Sequence, residues 1–140
     1  MPPKPILYAL ANPTPEIFPD DAKKEGAYII ATKRSDFPNQ TNNSLVFPGI
    51  FRGTIDIRAH KITIDMKIAA SKAVANLVPA DKLSPDMIMP NSLDINTSIR
   101  VATEDAKVVM EKKLTKKQGI NMVEEDIHSF FIVRELKDVA

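Results

Sequence analysis

The sequence predicts an α/β fold, a small parallel sheet followed by a run of helices, and three observations lead there. Residues Pro5 to Ala11 (PILYALA) and Ala27 to Thr32 (AYIIAT) are continuous apolar runs of strand length, the pattern of strands buried on both faces rather than of alternating, half-exposed ones. The stretch between them can form a short helical crossover, which implies parallel pairing. Beyond Thr32 the apolar residues recur at steps of three and four, the period of a helix rather than of a strand.

Each element has a local cause. Asn12-Pro13 ends the first strand, because proline fixes φ and has no N–H to give to a ladder. Asp20 is the candidate cap for a short helix through Ala22, Lys23 and Lys24, and Gly26 stands where a left-handed residue closes a helix. Lys33 to Asn43 (KRSDFPNQTNN) is polar, carries Pro38 and has no periodicity, so it reads as a loop leaving the second strand. Pro48 to Ala59 reads as helical, since proline suits a first turn and Ile50, Phe51 and Ile55 fall near one face; Gly49 and Gly53 lower its propensity.

The clearest helix begins at a Thr63 cap and places Met66, Ala69, Ala70, Ala73, Val74 and Leu77 on one face before Pro79 stops it. Leu83 to Asn96 is irregular and holds two prolines. Ile99, Ala102, Ala106, Val109 and Met110 then mark a further helical face, with Lys112 and Lys113 at the end that favours positive charge. A last amphipathic stretch opens with Glu124, Glu125 and Asp126, closes with Arg134 and Lys137, and has Ile127, Phe130, Phe131 and Leu136 on its apolar side.

Charge and composition exclude several classes. With 19 basic and 18 acidic residues the net charge is +1, so no field draws the chain to nucleic acid or to an anionic membrane, and neither is expected as a partner. The sequence has no cysteine, hence no disulfide framework and no thiolate chemistry, which accords with a reducing cytoplasm. No apolar run nears the ~18 residues of a membrane span, and the first residues lack the apolar segment of a signal peptide, so a soluble cytoplasmic chain is expected. His60 and His128 are isolated from other ligand-type residues, and no metal site is expected here.

The candidate binding residues are amides. Asn12 lies at the carboxyl end of the first strand, the edge where open α/β sheets hold ligands. A neutral amide there can donate to a carboxylate and accept from a carboxamide without adding charge. Asn42 and Asn43 end the loop after the second strand and can face the same crevice; the sequence does not choose between them. Each has a plain structural alternative, an Asx turn before Pro13 for Asn12 and helix capping for the pair. Arg34, Ser35, Asp36 and Asn39 share the loop and are in reach of a cofactor there, but polar loop residues are usually just solvated, and these read as solvated. Arg52 and Asp56, four apart on a helix, read as an ion pair, and Lys112, Lys113, Lys116 and Lys117 as a solvated helix end.

Three stretches carry a longer signal: PILYALANPTPEIFPDDAKKEGA, IIATKRSDFPNQTNNSLVFPGIFRGTIDIRA and ITIDMKIAASKAVANLV. Together they resemble the malic enzymes (malate oxidoreductases) of the short bacterial and archaeal type, closely over residues 5–78 and more weakly to about residue 114, while 115–140 resemble nothing in that family. The resemblance implies the C-terminal part of a Rossmann-like NAD(P)-binding domain followed by C-terminal helices. Residues 1–80 would be that part of the domain, 81–118 an irregular connection and helix continuing the match, and 119–140 a C-terminal amphipathic helix. It implies that Asn12, Asn42 and Asn43 face malate and the nicotinamide.

It also implies that the catalytic lysine and tyrosine, the metal carboxylates and the GxGxxG fingerprint belong upstream of the ALANP strand, where this sequence has nothing corresponding. No catalytic residue is therefore assigned here. The complete enzyme would use NAD or NADP with Mg2+ or Mn2+ to convert malate to pyruvate and CO2, and none of these is expected to bind tightly to this chain alone. Expected partners are malate, NAD(P) and either a second copy or the missing N-terminal half. A non-catalytic binding module and a decayed remnant are the competing readings. Within the match, Lys33 stands where the family usually has glycine, and lysine adopts positive φ only at a cost.

Overall fold

The computed structural model describes residues 2–115 and 125–130. Two strands, β1 (Ile6–Ala9) and β2 (Ile29–Thr32), pair in parallel with Ile6 opposite Ile29 and Ala9 opposite Thr32. Helix α1 (Pro19–Lys24) makes the crossover between them. Its first turn is opened by Pro19 after an extended Phe18 that makes no side-chain cap, so the expected Asp20 cap is wrong by two residues. Proline at a first helical position needs no N–H, and Asp20 and Asp21 complement the helix dipole from within the first turn. Gly26 closes α1 at φ 94°, as its position implied.

The two strands differ in burial. Ile30, Ala31 and Thr32 of β2 are buried, whereas Ile6 and Tyr8 of β1 are 57% and 52% exposed. The expectation that both runs are buried on both faces therefore holds for β2 and fails for one face of β1, whose other face carries the half-buried Leu7 and the buried Ala9. The cluster of Ala22, Ala27 and Ile30 packs on one face of the sheet and takes Leu7 of β1 with it, and the face bearing Ile6 and Tyr8 has no layer over it among the described residues.

Three helices form the larger core: α2 (Phe47–Asp56), α3 (Ile64–Ala75) and α4 (Ile95–Glu111). Thr63 caps α3 as expected, its hydroxyl accepting from the Met66 N–H at 3.3 Å. Met66, Ala70, Ala73 and Val74 of the expected stripe are buried, as are Ala102, Ala106 and Val109 of α4. Asp94 caps α4, one turn ahead of its first periodic apolar residue.

Helix α2 turns a different face inward from the one its large residues suggested. Gly49, Ile50 and Gly53 are buried, while Phe51 and Ile55 are 50% and 66% exposed. The two glycines let the backbone of α2 lie against α4. A β-carbon at Gly49 would sit 2.6 Å from the Ser98 carbonyl oxygen, and one at Gly53 would sit 2.6 Å from that of Ala102. Packing thus outweighs the propensity that counted against this helix. Phe47 and Phe51 stack on the outer side with centroids 5.5 Å apart.

The contact between α2 and α4 also encloses a carboxyl group. Asp105 is fully buried, and burial raises its pKa from 3.8 to about 6. The Thr54 hydroxyl donates to the Ile50 carbonyl at 2.6 Å and lies 3.1 Å from Asp105 Oδ2. The Thr54 hydroxyl has one hydrogen for these two acceptors, and its bond to Asp105 offsets only part of the rise that burial causes. Asp105 Oδ1 has no partner among the described residues.

This acid is more basic folded than unfolded, so the folded chain binds the extra proton between about pH 4 and pH 6, and stability falls as pH rises through that window. The penalty is complete above about pH 6 and amounts to about 3 kcal/mol. Asp105→Asn is therefore expected to stabilise the chain by about 1–3 kcal/mol at pH 7.5 and to make no difference near pH 4, read from urea midpoints at both pH values.

Residues 125–130 form a helical segment whose Ile127 is buried in the cluster of Ile57, Met66 and Val109. Arg52 lies over the Phe130 ring, 4.0 Å from its centroid, and pairs with Asp56 through both carboxylate oxygens, one of them 2.6 Å from Nε. The Arg52–Asp56 pair is the one the sequence spacing implied. Phe130 offers its ring face to that guanidinium. Lys116, Lys117, Phe131, Arg134, Leu136 and Lys137 lie outside the described residues.

Candidate functional site

Two loops leave the carboxyl ends of β1 and β2 side by side. The first carries Asn12. Ala11 donates its N–H to Glu16 Oε2 at 3.0 Å, which closes the loop and holds the Glu16 carboxyl below its usual pKa. Arg34, from the second loop, reaches the Pro13 carbonyl at 3.5 Å while its guanidinium pairs with Asp36 at 2.8 and 2.7 Å. Asn12 is thereby held on a braced turn, exposed, and its side chain makes no hydrogen bond among the described residues.

The second loop is anchored by Asn39. It is 5% exposed and adopts φ 55°, a left-handed backbone that asparagine tolerates better than most residues. Its Nδ2 donates to the carbonyls of Ile30 and Pro85 at 3.0 and 2.8 Å, and its Oδ1 accepts from the Ile88 N–H at 2.8 Å. One side chain thus ties β2 to the irregular connection at residues 83–94, which ends two residues earlier than the sequence implied because Asp94 caps α4. Ser92 donating to Gln40 at 2.7 Å and Lys23 pairing with Asp86 at 2.8 Å add two further ties. The reading of Asn39 as a solvated loop residue is corrected: it is a buried scaffold.

Asn42 and Asn43 follow, and they differ. Asn42 caps a single 3₁₀ turn (Asn43–Leu45), its Oδ1 accepting from the Ser44 N–H at 3.2 Å and its Nδ2 donating to the Lys33 carbonyl at 3.5 Å. Asn43 is exposed and its side chain has no hydrogen bond among the described residues. Both line a cavity of about 610 Å³ whose other walls include Tyr8 and Leu10 of the β1 segment, Phe47, Val74 of α3, and Met89. Asn12 does not line it. The structure therefore gathers Asn42 and Asn43 in one cavity and leaves Asn12 on the neighbouring loop.

Lys33 is half-buried at the same cavity, and its φ is not in the left-handed region. The lysine consequently carries none of the backbone strain that replacing a glycine implied. Sequence reading missed Tyr8, Phe47 and Met89 as cavity walls. Their signal was indirect: each is a large apolar residue beside a polar loop.

Among the described residues, no three His, Asp or Glu side chains converge on a point that could hold a metal ion, and His60 and His128 are both exposed. The sequence holds four glycines and no GxGxxG, so it offers no Gly-rich cradle for a pyrophosphate. These residues do not fit the metal or the phosphates, and no chemical step is derived through either. What they offer is a wall of amides and apolar side chains at the carboxyl edge of a parallel sheet.

A parallel βαβ unit with ligand-type amides at its carboxyl edge is part of a dinucleotide-binding α/β domain. Comparison with known proteins gives the family. Residues 1–110 match the family model described as the malic enzyme NAD-binding domain, and the chain belongs to that family. It is 53% identical over 107 residues to a bifunctional malic/malolactic enzyme of Bacillus subtilis, covering 76% of this chain and 26% of that protein. It is 42% identical over 116 residues to an NAD-dependent malic enzyme of Geobacillus stearothermophilus, covering 83% of this chain and 24% of that one.

The crystal structure of malic enzyme from Pyrococcus horikoshii superposes with a TM-score of 0.86 at 44% identity, over 94% of this chain and 30% of that one. The chain thus spans about a quarter of the length of the curated relatives it matches. No helix among the described residues is long and apolar enough to cross a membrane.

Proposed function

We propose that this chain supplies one wall of the malate and nicotinamide pocket of an NAD(P)-dependent malic enzyme and does not turn over malate alone. The observation that carries this reading is the division of labour between the paired amides. Asn42 is committed to its cap, whereas Asn43, next to it, lines the cavity with neither end of its amide hydrogen-bonded among the described residues. A side chain that spends no bonds on the fold is available to a ligand carboxylate or hydroxyl. Asn12 then faces the same ligand from the neighbouring loop, which the Arg34 bridge to Pro13 holds in place.

Relatives described as NAD-dependent and as NADP-dependent both match, so the reading takes a nicotinamide cofactor of either kind. The divalent metal, the acid, the base and the phosphate cradle come from an upstream portion, present as a second polypeptide or as the other half of a longer one. The cysteine-free composition suits a cytoplasmic setting.

The test pairs the chain with the upstream portion of the Bacillus subtilis relative and assays malate-dependent reduction of NAD+ or NADP+. Asn43→Ala is expected to lower kcat/KM about a hundredfold with little change in stability. Asn42→Ala is expected to cost about 1 kcal/mol of stability through its lost cap. Equal activity losses for the two variants would contradict the assignment of Asn43.

A further inference from the structure

Among the described residues that line the cavity beside Asn43, Lys33 alone is charged; the others are amides, hydroxyls and apolar side chains. Lys33 belongs to none of the ion pairs among the described residues. Its influence is felt at Glu16, whose carboxyl it helps to keep ionised from beyond ion-pair distance, but that carboxylate already accepts from the Ala11 N–H.

The backbone on either side is fixed. Thr32 Oγ1 accepts from the Arg34 N–H at 3.2 Å, the Thr32 carbonyl accepts from the Thr41 N–H at 2.7 Å, and the Lys33 carbonyl accepts from Asn42. Lys33 therefore lines a largely apolar cavity from a backbone held on both sides. A carboxylate entering such a cavity loses hydration that amides alone do not replace, because they supply donors and no charge. A lysine supplies both.

We propose that Lys33 is a carboxylate-binding residue of this cavity, taking one carboxylate of a dianionic 2-hydroxy acid while Asn43 donates to the same ligand. The proposal rests on the pocket reading above. It makes the cavity selective for a doubly charged acid over its uncharged amide.

The test combines the 140-residue chain with the upstream portion of the Bacillus subtilis relative and titrates the assembly with L-malate and, separately, with the uncharged diamide of malate, following the Asn43 side-chain amide by nitrogen–proton NMR correlation spectra. Malate is expected to shift that resonance saturably and the diamide to do so at least about tenfold more weakly. Lys33→Met is expected to weaken malate about tenfold, to the level of the diamide, with the rest of the spectrum unchanged, and Lys33→Arg to retain most of the affinity. Malate binding to Lys33→Met as tightly as to the parent, with Asn43 still shifted, overturns the role of Lys33 and leaves the pocket reading standing. An Asn43 resonance that malate does not move in the parent chain overturns both.

Discussion

Gly53→Ala is expected to destabilise the chain by at least about 2 kcal/mol, and Gly49→Ala by a similar amount. Each added methyl would lie 2.6 Å from a carbonyl oxygen of α4, Ala102 for Gly53 and Ser98 for Gly49. A backbone carbonyl cannot rotate away as a side-chain tip can, so the helix must move as a body. At Gly49 the Val101 Cβ at 2.7 Å closes the remaining space, and at Gly53 the Asp105 Cβ at 3.0 Å does so. Propensity acts in the opposite direction, since alanine favours a helix over glycine by about 1 kcal/mol. Urea unfolding therefore decides between packing and propensity at these two positions. Gly26→Ala is the control: its β-carbon would meet nothing within 4 Å, and its φ of 94° leaves backbone strain of about 1–2 kcal/mol as the sole cost.

Asn39→Ala is expected to cost about 3 kcal/mol, because three hydrogen bonds of a buried side chain disappear together and the groups they served stay buried. Asn39→Asp separates the contributions. It keeps an acceptor for the Ile88 N–H but directs oxygen at the Ile30 and Pro85 carbonyls, and it is expected to be at least as damaging as alanine. Asn39→Gly keeps the left-handed backbone at φ 55° without the bonds, and should fall between the parent and alanine. Thermal or urea midpoints of the three variants check the order. The consequence reaches the cavity, whose wall includes Ile88 and Met89. Loosening their connection to β2 should broaden the resonances of both residues before the core at α3 and α4 unfolds.

How much of this was legible in the sequence depends on the range of the interaction involved. The Thr63 cap, the stripe from Met66 to Val74 and the Gly26 terminus are local arrangements, and each was read where it lies. The α/β class and parallel pairing followed from two apolar runs. Misreadings came where a partner far along the chain decides. Phe51 and Ile55 look like a buried face until α4 is known to take the glycine side of α2. Asn39 looks solvated until Pro85 and Ile88, far along the chain, are brought to it. β1 looks doubly buried until the described sheet proves to have two strands. For the site, Asn12, Asn42 and Asn43 stood out as amides at strand ends, but only the hydrogen bonds of Asn42 separate a cap from a free amide. Lys33 was noticed for its backbone, and its cavity gave it a second meaning.

The most direct measurement is malate-dependent reduction of NAD+ or NADP+, with Mg2+ or Mn2+ present, by the purified 140-residue chain and by the same chain combined with the upstream portion of the Bacillus subtilis relative. No turnover is expected from the chain alone, and metal-dependent turnover is expected from the combination. Malate oxidation by the chain alone, or a combination that assembles and stays inert, would contradict the assignment of this chain as the substrate-facing wall of a malic enzyme pocket.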